Sequence, residues 1–269
     1  MKKIILLSIS ILLASSSFAQ LFSKEDIKAT RDFDVENFSG ISIGNATDLT
    51  LVKADEFALT IEVSEEYIDY ISIKYTSSGV MSIGYDKLPL KLRNSKKSHM
   101  KATISMPYIN SMDISGATTV TSNDSFTTVG GMQKFNISCS GASTINKFKI
   151  TAPEAVVTVS GASKVELDGK FGELDAEVSG ASKLVLSGEA GEFELECGGA
   201  SSTNAESLEA EDVELEVSGA SRADVFVTKR LEVEVTGAST CTYTTAGQIQ
   251  LDVKKIAGAS SFKRKEASK

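Results

Sequence analysis

Apolar and polar residues alternate along most of the chain, and between residues 111 and 263 they flank one recurring phrase, Ser-Gly-Ala-Ser or a close variant. The residues two and four positions before the Gly are apolar in nearly every copy, and the residue between them is mostly polar. Alternation with a period of two predicts a β-strand with one buried face. The residues two positions before the Gly are Ile114, Cys139, Val159, Val178, Cys197, Val217, Val235 and Ile256.

The phrase returns at a nearly constant interval, which is 25 residues at first and then 18 to 21. Its glycines are Gly116, Gly141, Gly161, Gly180, Gly199, Gly219, Gly237 and Gly258. Alternation resumes after each Gly, so each repeat predicts a strand, a bend and a second strand. A period near twenty is typical of a solenoid whose like residues stack about 4.8 Å apart. The sequence therefore predicts an all-β fold, a single-stranded parallel β-helix with 18 to 21 residues per coil.

Small residues at the bend suit a confined corner. Gly adopts backbone angles that a side chain forbids, and we expect the Ala that follows it to fit inside the corner. The Ser or Thr two positions after the Gly predicts a stacked ladder of hydroxyl groups. The sequence leaves open whether these hydroxyl groups point inward or outward.

The two ends of the solenoid differ in sequence. Residues 33–110 alternate without the phrase, and we expect less regular coils, continuous with the regular repeats of 111–263, that cap one end. Open solenoid ends expose unpaired strand edges and need such caps. A charged tail occupies 264–269. We predict that the cations where the pattern fails guard the other edge; they are Lys254, Lys255, Lys263, Arg264 and Lys265.

The first residues predict export. A cationic start, an apolar run and a small-residue site ending at Ala19 indicate a signal peptide over 1–19, followed by a leader over 20–32. The apolar run is short and interrupted by serines, so a retained anchor is the weaker interpretation. We predict no transmembrane span and a location in the periplasm, at the cell surface or outside the cell.

Charge and cysteine positions exclude two kinds of chemistry. The formal net charge of −8 argues against a nucleic-acid partner, which needs a cationic surface. All three cysteines fall in inward columns, and Cys139 and Cys197 lie three coils apart, roughly 14 Å by the strand spacing. A disulfide needs Cα atoms within about 7 Å, so we predict free buried thiols.

Two outward columns of four successive coils are acidic. They comprise Asp175, Glu177, Glu194, Glu196, Glu214, Glu216, Glu232 and Glu234. Like charges stacked across strands repel, and Ca²⁺, which takes oxygen ligands, would relieve the repulsion. The candidate metal ligands are Glu177, Glu196, Glu214, Glu216 and Glu234. The alternative is a solvated face that Lys164, Lys183 and Arg222 neutralise in part.

A second candidate site is the basic run KLPLKLRNSKKSHMK at residues 87–101. Lys91, Arg93, Lys96 and Lys97 are candidates for binding an anionic glycan or a lipid head group. The alternative is a plain surface loop. Because His99 is the only His and no Gly-rich phosphate loop opens a helix, we predict no catalytic site and no cofactor other than Ca²⁺.

Three stretches resemble the putative autotransporter adhesin, head GIN domain family of Gram-negative bacteria, which is common in Bacteroidetes. They are FSGISIGNATDLTLVKAD at 38–55, KATISMPYINSMDISGAT at 101–118 and the serial SGAS phrase. The likeness covers about residues 36–262. It implies a right-handed parallel β-helix that is exported to the cell envelope.

These observations favour a non-catalytic, adhesin-like binding module for a glycan, an envelope component or a surface protein. Two alternatives stay open: a polysaccharide-active enzyme of the lyase-like β-helix type and a purely structural solenoid. Self-association into a homo-oligomer also stays open.

Overall fold

The structure, a computed structural model, describes residues 27–35, 37–93, 96–129 and 134–266. The predicted signal peptide lies outside these ranges, as do most of the predicted leader and the last three residues of the tail. The described chain is all-β, and its parallel coils stack into a solenoid of about seven turns. The predicted fold class is therefore confirmed.

Nineteen strands and two 3₁₀ turns make up the described elements. The strands are β1 Lys28–Phe33, β2 Gly40–Ile43, β3 Thr47–Lys53, β4 Ala58–Ser64, β5 Ile71–Tyr75, β6 Val80–Tyr85, β7 Met100–Met106, β8 Ser111–Ile114, β9 Thr119–Ser122, β10 Ser125–Thr127, β11 Lys134–Cys139, β12 Thr144–Val159, β13 Lys164–Val178, β14 Lys183–Cys197, β15 Ser202–Val217, β16 Arg222–Val235, β17 Thr240–Thr244, β18 Gln250–Ile256 and β19 Ser261–Arg264. The 3₁₀ turns span Ile68–Tyr70 and Lys96–Ser98.

Each regular coil has three faces. Face A is the strand that leads into the Gly corner, face B is the strand that leaves it, and face C is the short stretch that joins B to the next A. The long strands β12 to β16 bend through B, C and A in turn, and they pair in parallel with their successors on each face. On face A, Val159, Val178, Cys197 and Val217 pair in one column, as the sequence predicted.

The corner requires Gly for two reasons. Gly180 has a φ of +73°, a region that other residues rarely adopt. A Cβ on Gly180 would also lie 2.5 Å from the carbonyl oxygen of Gly161 in the coil below. That carbonyl accepts the backbone N–H of Ala181 at 2.8 Å, and the same bond repeats from corner to corner. The corners are therefore fastened in vertical register.

The expectation about Ala is wrong. The methyl groups of Ala162 and Ala181 are exposed, while the hydroxyl groups of Ser163 and Ser182 are buried. The Ser two positions after the Gly thus fills the inside of the corner, and the ladder of hydroxyl groups points inward.

The interior is one continuous apolar column. Phe126 and Phe135 both stack on Phe148, with ring centroids 5.4 and 6.0 Å apart, and aliphatic side chains from the three faces fill the coils above. The three cysteines are free and buried, as predicted. Burial raises the pKa of Cys139 to about 11 and that of Cys241 to about 12, so both remain neutral thiols.

The N-terminal end is capped by coils that run out of sequence order. The coil of β6 and β7 lies outside the coil of β2 and β3, because β2 pairs with both β6 and β8, and β3 with both β7 and β9. Antiparallel strands then cover both edges: β5 pairs with β6, β4 with β7, and β1 with β4. The predicted cap exists, and its inverted order was not foreseen.

The C-terminal end has no such cover among the described residues. Strand β18 pairs only with β16, and Leu251 and Val253 are each 42% exposed. Lys254 and Lys255 form ion pairs with Glu232 and Glu234 on the preceding coil, at 3.3 and 2.8 Å. These two cations therefore reach along face A and do not project from the edge.

We predict that Gly180→Ala lowers the free energy of unfolding by about 2 to 5 kcal/mol. A side chain there adopts a disfavoured φ and meets the Gly161 carbonyl oxygen. Denaturant unfolding followed by circular dichroism measures the loss. Gly247→Ala is the matched control, because a Cβ at Gly247 meets no atom within 4 Å. Equal stability of the two variants would contradict the account of the corner.

Two corner serines are predicted to respond differently to Ala. The Ser201 hydroxyl lies 2.6 Å from the Gly198 oxygen and 3.0 Å from the Val178 oxygen, so Ser201→Ala should cost about 1 kcal/mol. The buried Ser182 hydroxyl has no hydrogen-bond partner in the described chain. Ser182→Ala should then leave stability unchanged or raise it, because an unpaired polar atom leaves the core. Thermal unfolding of the two variants compares them directly.

Candidate functional site

The outward side of face A is an array of carboxylates, which we call the acidic wall. It has three columns of four residues on β13 to β16, and eleven of its twelve residues are acidic. The columns are Glu173, Glu192, Asp212 and Arg230; Asp175, Glu194, Glu214 and Glu232; and Glu177, Glu196, Glu216 and Glu234. The sequence predicted the second and third columns. The first was missed, although the same alternation continues two residues further from the corner.

Strand geometry positions these carboxylates. On β14, Phe193, Leu195 and Cys197 point into the core, so the alternate residues Glu192, Glu194 and Glu196 point outward. The corner ladder holds successive coils in register, which places carboxylates of one column about 4.8 Å apart at the backbone. The wall is therefore a regular grid whose spacing is set by the corners.

Cations balance only one end of the wall. Arg230 and Lys254 bind Glu232 at 2.7 and 3.3 Å, and Lys255 binds Glu234 at 2.8 Å. Within the described chain, the wall carboxylates on β13, β14 and β15 form no ion pair. These nine carboxylates are Glu173, Asp175, Glu177, Glu192, Glu194, Glu196, Asp212, Glu214 and Glu216. These carboxylates are the uncompensated part of the wall.

Burial and repulsion between the wall carboxylates both affect the pKa of Glu194. Burial against the wall raises the pKa of the Glu194 carboxyl, and repulsion from Asp175, Glu214 and Glu196 raises it further. The charged form of Glu194 is therefore disfavoured in the folded protein, and a cation bound at the wall would relieve the repulsion.

The expected neutralising cations lie elsewhere. Lys164 and Lys183 share a column on face B, and Lys164 binds Glu166 there at 2.6 Å. Arg222 binds Asp224, also on face B, at 2.6 Å. The expectation that these side chains offset the acidic wall is wrong, because residues after the Gly belong to a different face from residues before it.

The wall is open and shallow. Grooves of about 200 and 160 Å³ run between its columns, smaller than the 300 to 1,000 Å³ usual for an enclosed small-molecule site. Among the described residues, no three acidic, His or Cys side chains converge as a ready-made metal cluster. A bound Ca²⁺ would need the carboxylates of neighbouring coils to rotate together, and calcium binding stays a prediction.

The basic run lies at the opposite end of the solenoid. It forms the connection between β6 and β7, which includes Lys91, Arg93 and Lys97; the side chain of Lys96 lies outside the described parts. At the start of β7, His99 contacts Asp48 at 2.8 Å and Lys101 contacts Glu62 at 3.8 Å. The two candidate sites are therefore separate surfaces of opposite charge.

A family model for the putative auto-transporter adhesin, head GIN domain matches residues 37–247. The chain belongs to this family. The match runs from the N-terminal cap through the acidic wall, so both candidate sites lie inside the head GIN domain. No curated protein matches the chain in sequence.

Solved structures share the fold of this head GIN domain at low sequence identity. A putative adhesin from Parabacteroides distasonis has a TM-score of 0.76 at 15% identity, covering 89% of this chain and 98% of its own. A protein from the same species described as a putative lipid binding protein has a TM-score of 0.77 at 12% identity, covering 90% and 98%. A putative adhesin from Bacteroides fragilis has a TM-score of 0.59 at 21% identity, again covering 90% and 98%.

No helix within the described parts of the head GIN domain is long and apolar enough to cross a bilayer.

Glu194→Gln should stabilise the head GIN domain at pH 7 by about 0.2 to 1 kcal/mol, because it removes a carboxylate repelled by its neighbours. A raised pKa means that the folded state holds the proton more tightly, so the wild type gains stability as pH falls through that pKa. The advantage of the variant should therefore shrink toward pH 4. Glu189→Gln is the control, since Glu189 binds Lys170 at 3.1 Å and its loss should not stabilise. The test is to measure the melting temperatures of the wild type and both variants at pH 7 and at pH 4.

Proposed function

We propose that the protein is an exported, non-catalytic, adhesin-like module whose acidic wall is its binding face. The observation that carries this proposal is the group of nine wall carboxylates without ion pairs, held in a grid by the core and the corners. Uncompensated charge on a rigid surface favours a partner that supplies the missing cations. That partner is a cationic patch of a surface protein, or a glycan or envelope component bridged by Ca²⁺.

The shape of the wall supports binding over catalysis. Catalysis needs a concave site that excludes water, and the grooves on the wall are shallow. A long flat grid instead suits an extended polymer or another protein surface, where many weak contacts add together. The family and its structural neighbours, several described as adhesins, agree with a binding role.

Calcium fits the chemistry of the wall. Ca²⁺ accepts six to eight oxygen ligands with flexible geometry, so it can collect carboxylates from adjacent coils and leave positions for sugar hydroxyl groups. The side chains that would hold it are Glu177, Glu196, Glu214, Glu216 and Glu234. Glu234 already binds Lys255, so Ca²⁺ at that position would compete with an existing ion pair.

The test compares glycan-array binding in calcium and in chelator. Wild-type protein should bind a subset of glycans in calcium. The triple variant Glu194→Gln, Glu214→Gln, Glu216→Gln should bind them about 3- to 150-fold more weakly, since three exposed charge pairs are worth about 0.6 to 3 kcal/mol together. The matched control changes three exposed acidic residues of the N-terminal region: Asp55→Asn, Glu56→Gln and Glu66→Gln.

A reducing-sugar assay on the bound glycans separates the alternatives. Binding without product, lost in the wall variant and kept in the control, supports the module. Product formation would replace it with the lyase-like enzyme. Binding that is equal in all three proteins would remove the wall from the mechanism, and the absence of any binding would favour a structural solenoid.

A further inference from the structure

The loop between β6 and β7 presents one leucine to solvent on a rigid support. Leu90 is 79% exposed, whereas Leu92, two residues later, is 7% exposed and belongs to the core. A tight turn separates them, in which the Leu92 N–H donates to the Pro89 oxygen at 2.9 Å. Pro89 restricts the backbone at the entry to this turn. Leu90 is thus the apolar tip of a turn whose other leucine anchors it.

Two tyrosines, one buried and one partly buried, fasten this loop to the cap. The Tyr67 hydroxyl donates to the Leu92 oxygen at 3.0 Å, and the Tyr85 hydroxyl donates to the Ser98 oxygen at 2.7 Å. The two rings pack together with centroids 5.7 Å apart, and Tyr67 is fully buried. Arg93 closes the turn from the side, since its Nε donates to the Leu88 oxygen at 3.0 Å. These bonds hold the backbone on both sides of Leu90.

The surroundings of Leu90 are cationic. Lys87, Lys91, Arg93 and Lys97 are exposed, and the sequence from 87 to 101 contains no acidic residue. The acidic residues nearby are already engaged: Asp86 with Lys74 at 3.8 Å, Asp48 with His99, and Glu62 with Lys101. Within the described residues, Lys87 and Lys91 form no ion pair.

We propose that the turn at residues 87–93, with Leu90 at its tip, is a membrane-contact site that binds an anionic lipid surface. Leu90 inserts below the head groups, and the surrounding cations remain at the level of the lipid phosphates. An apolar side chain gains by leaving water, and basic side chains gain near an anionic bilayer. A glycan would satisfy the cations, but its polar surface would leave Leu90 without an apolar partner. An apolar tip flanked by exposed basic residues therefore favours a lipid surface over a soluble polyanion.

The charge layout of the whole molecule permits this contact. On face A, five strand spacings separate β6 from the wall segment of β13, or about 24 Å at about 4.8 Å each. The Debye length at physiological salt is about 8 Å. Repulsion between the acidic wall and the lipids is thus largely screened when the capped end touches the membrane. The contact is independent of the function proposed for the wall.

The experiment is sedimentation with lipid vesicles, using the chain from Gln20 onward, which retains every described residue. Wild-type protein should bind vesicles of phosphatidylglycerol with phosphatidylcholine and should not bind vesicles of phosphatidylcholine alone. Leu90→Ser should weaken binding about tenfold or more, since it removes most of the apolar area that would be buried. The double variant Lys91→Glu, Arg93→Glu should abolish binding, and added salt should weaken binding by the wild type.

Two controls distinguish binding through the loop from nonspecific adsorption to vesicles. Leu251→Ser removes an exposed leucine at the other end of the solenoid and should leave vesicle binding unchanged. The wall variant Glu194→Gln, Glu214→Gln, Glu216→Gln should also bind normally, so failure of the wall proposal and failure of this one are distinguishable. Melting temperatures should match for wild type and Leu90→Ser, because Leu90 is exposed.

Three outcomes would overturn the proposal. Wild-type protein that ignores anionic vesicles has no such site. Vesicle binding that survives Leu90→Ser unchanged would mean that the leucine does not insert. Binding to the soluble polyanion heparin that depends on Lys91 and Arg93, without vesicle binding, would assign the loop to an anionic glycan.

Discussion

The structure depends on one close approach, between the backbone of each corner and the backbone of the corner below. Gly161 and Gly180 illustrate it, because the carbonyl of the first accepts the amide that follows the second, and no side chain fits between them. This contact sets the height of a coil and the direction in which its strands leave the bend. The register of the core columns, the inward hydroxyl groups and the carboxylate grid all follow from it.

The regular coils could be predicted from the sequence because their signal is repeated. The column of Val159, Val178 and Val217 appears in the sequence as one residue type at one offset from the Gly. The cap could not be derived in the same way. The pairing of β2 with both β6 and β8 joins segments that share no repeat, and only the packed structure decides which coil lies outermost.

In the candidate sites, too, the features that follow from the repeat could be predicted and the others could not. The outward direction of Glu194 and Glu214 follows from alternation alone and could be predicted. Which cations face them could not, because the sequence does not show where the coil bends, and Lys164 and Arg222 belong to another face. The exposure of Leu90 could not be predicted from the sequence either. Leu88, Leu90 and Leu92 follow the same alternation, and only the turn between them exposes Leu90 and buries Leu92.

Because the two ends of the solenoid are built differently, we expect them to differ in local stability. At the N-terminal end, the antiparallel strands β4 and β5 pair with the outermost coil. At the C-terminal end, the last coil, which contains Leu251, pairs with a neighbouring strand on one side only. Amide exchange with solvent should therefore be fastest in that coil and slow progressively through the stack. Under tension or heat, we expect unfolding to begin at the C-terminal coil and to proceed toward the N-terminal cap. The end that carries the tyrosine-fastened loop would unfold last.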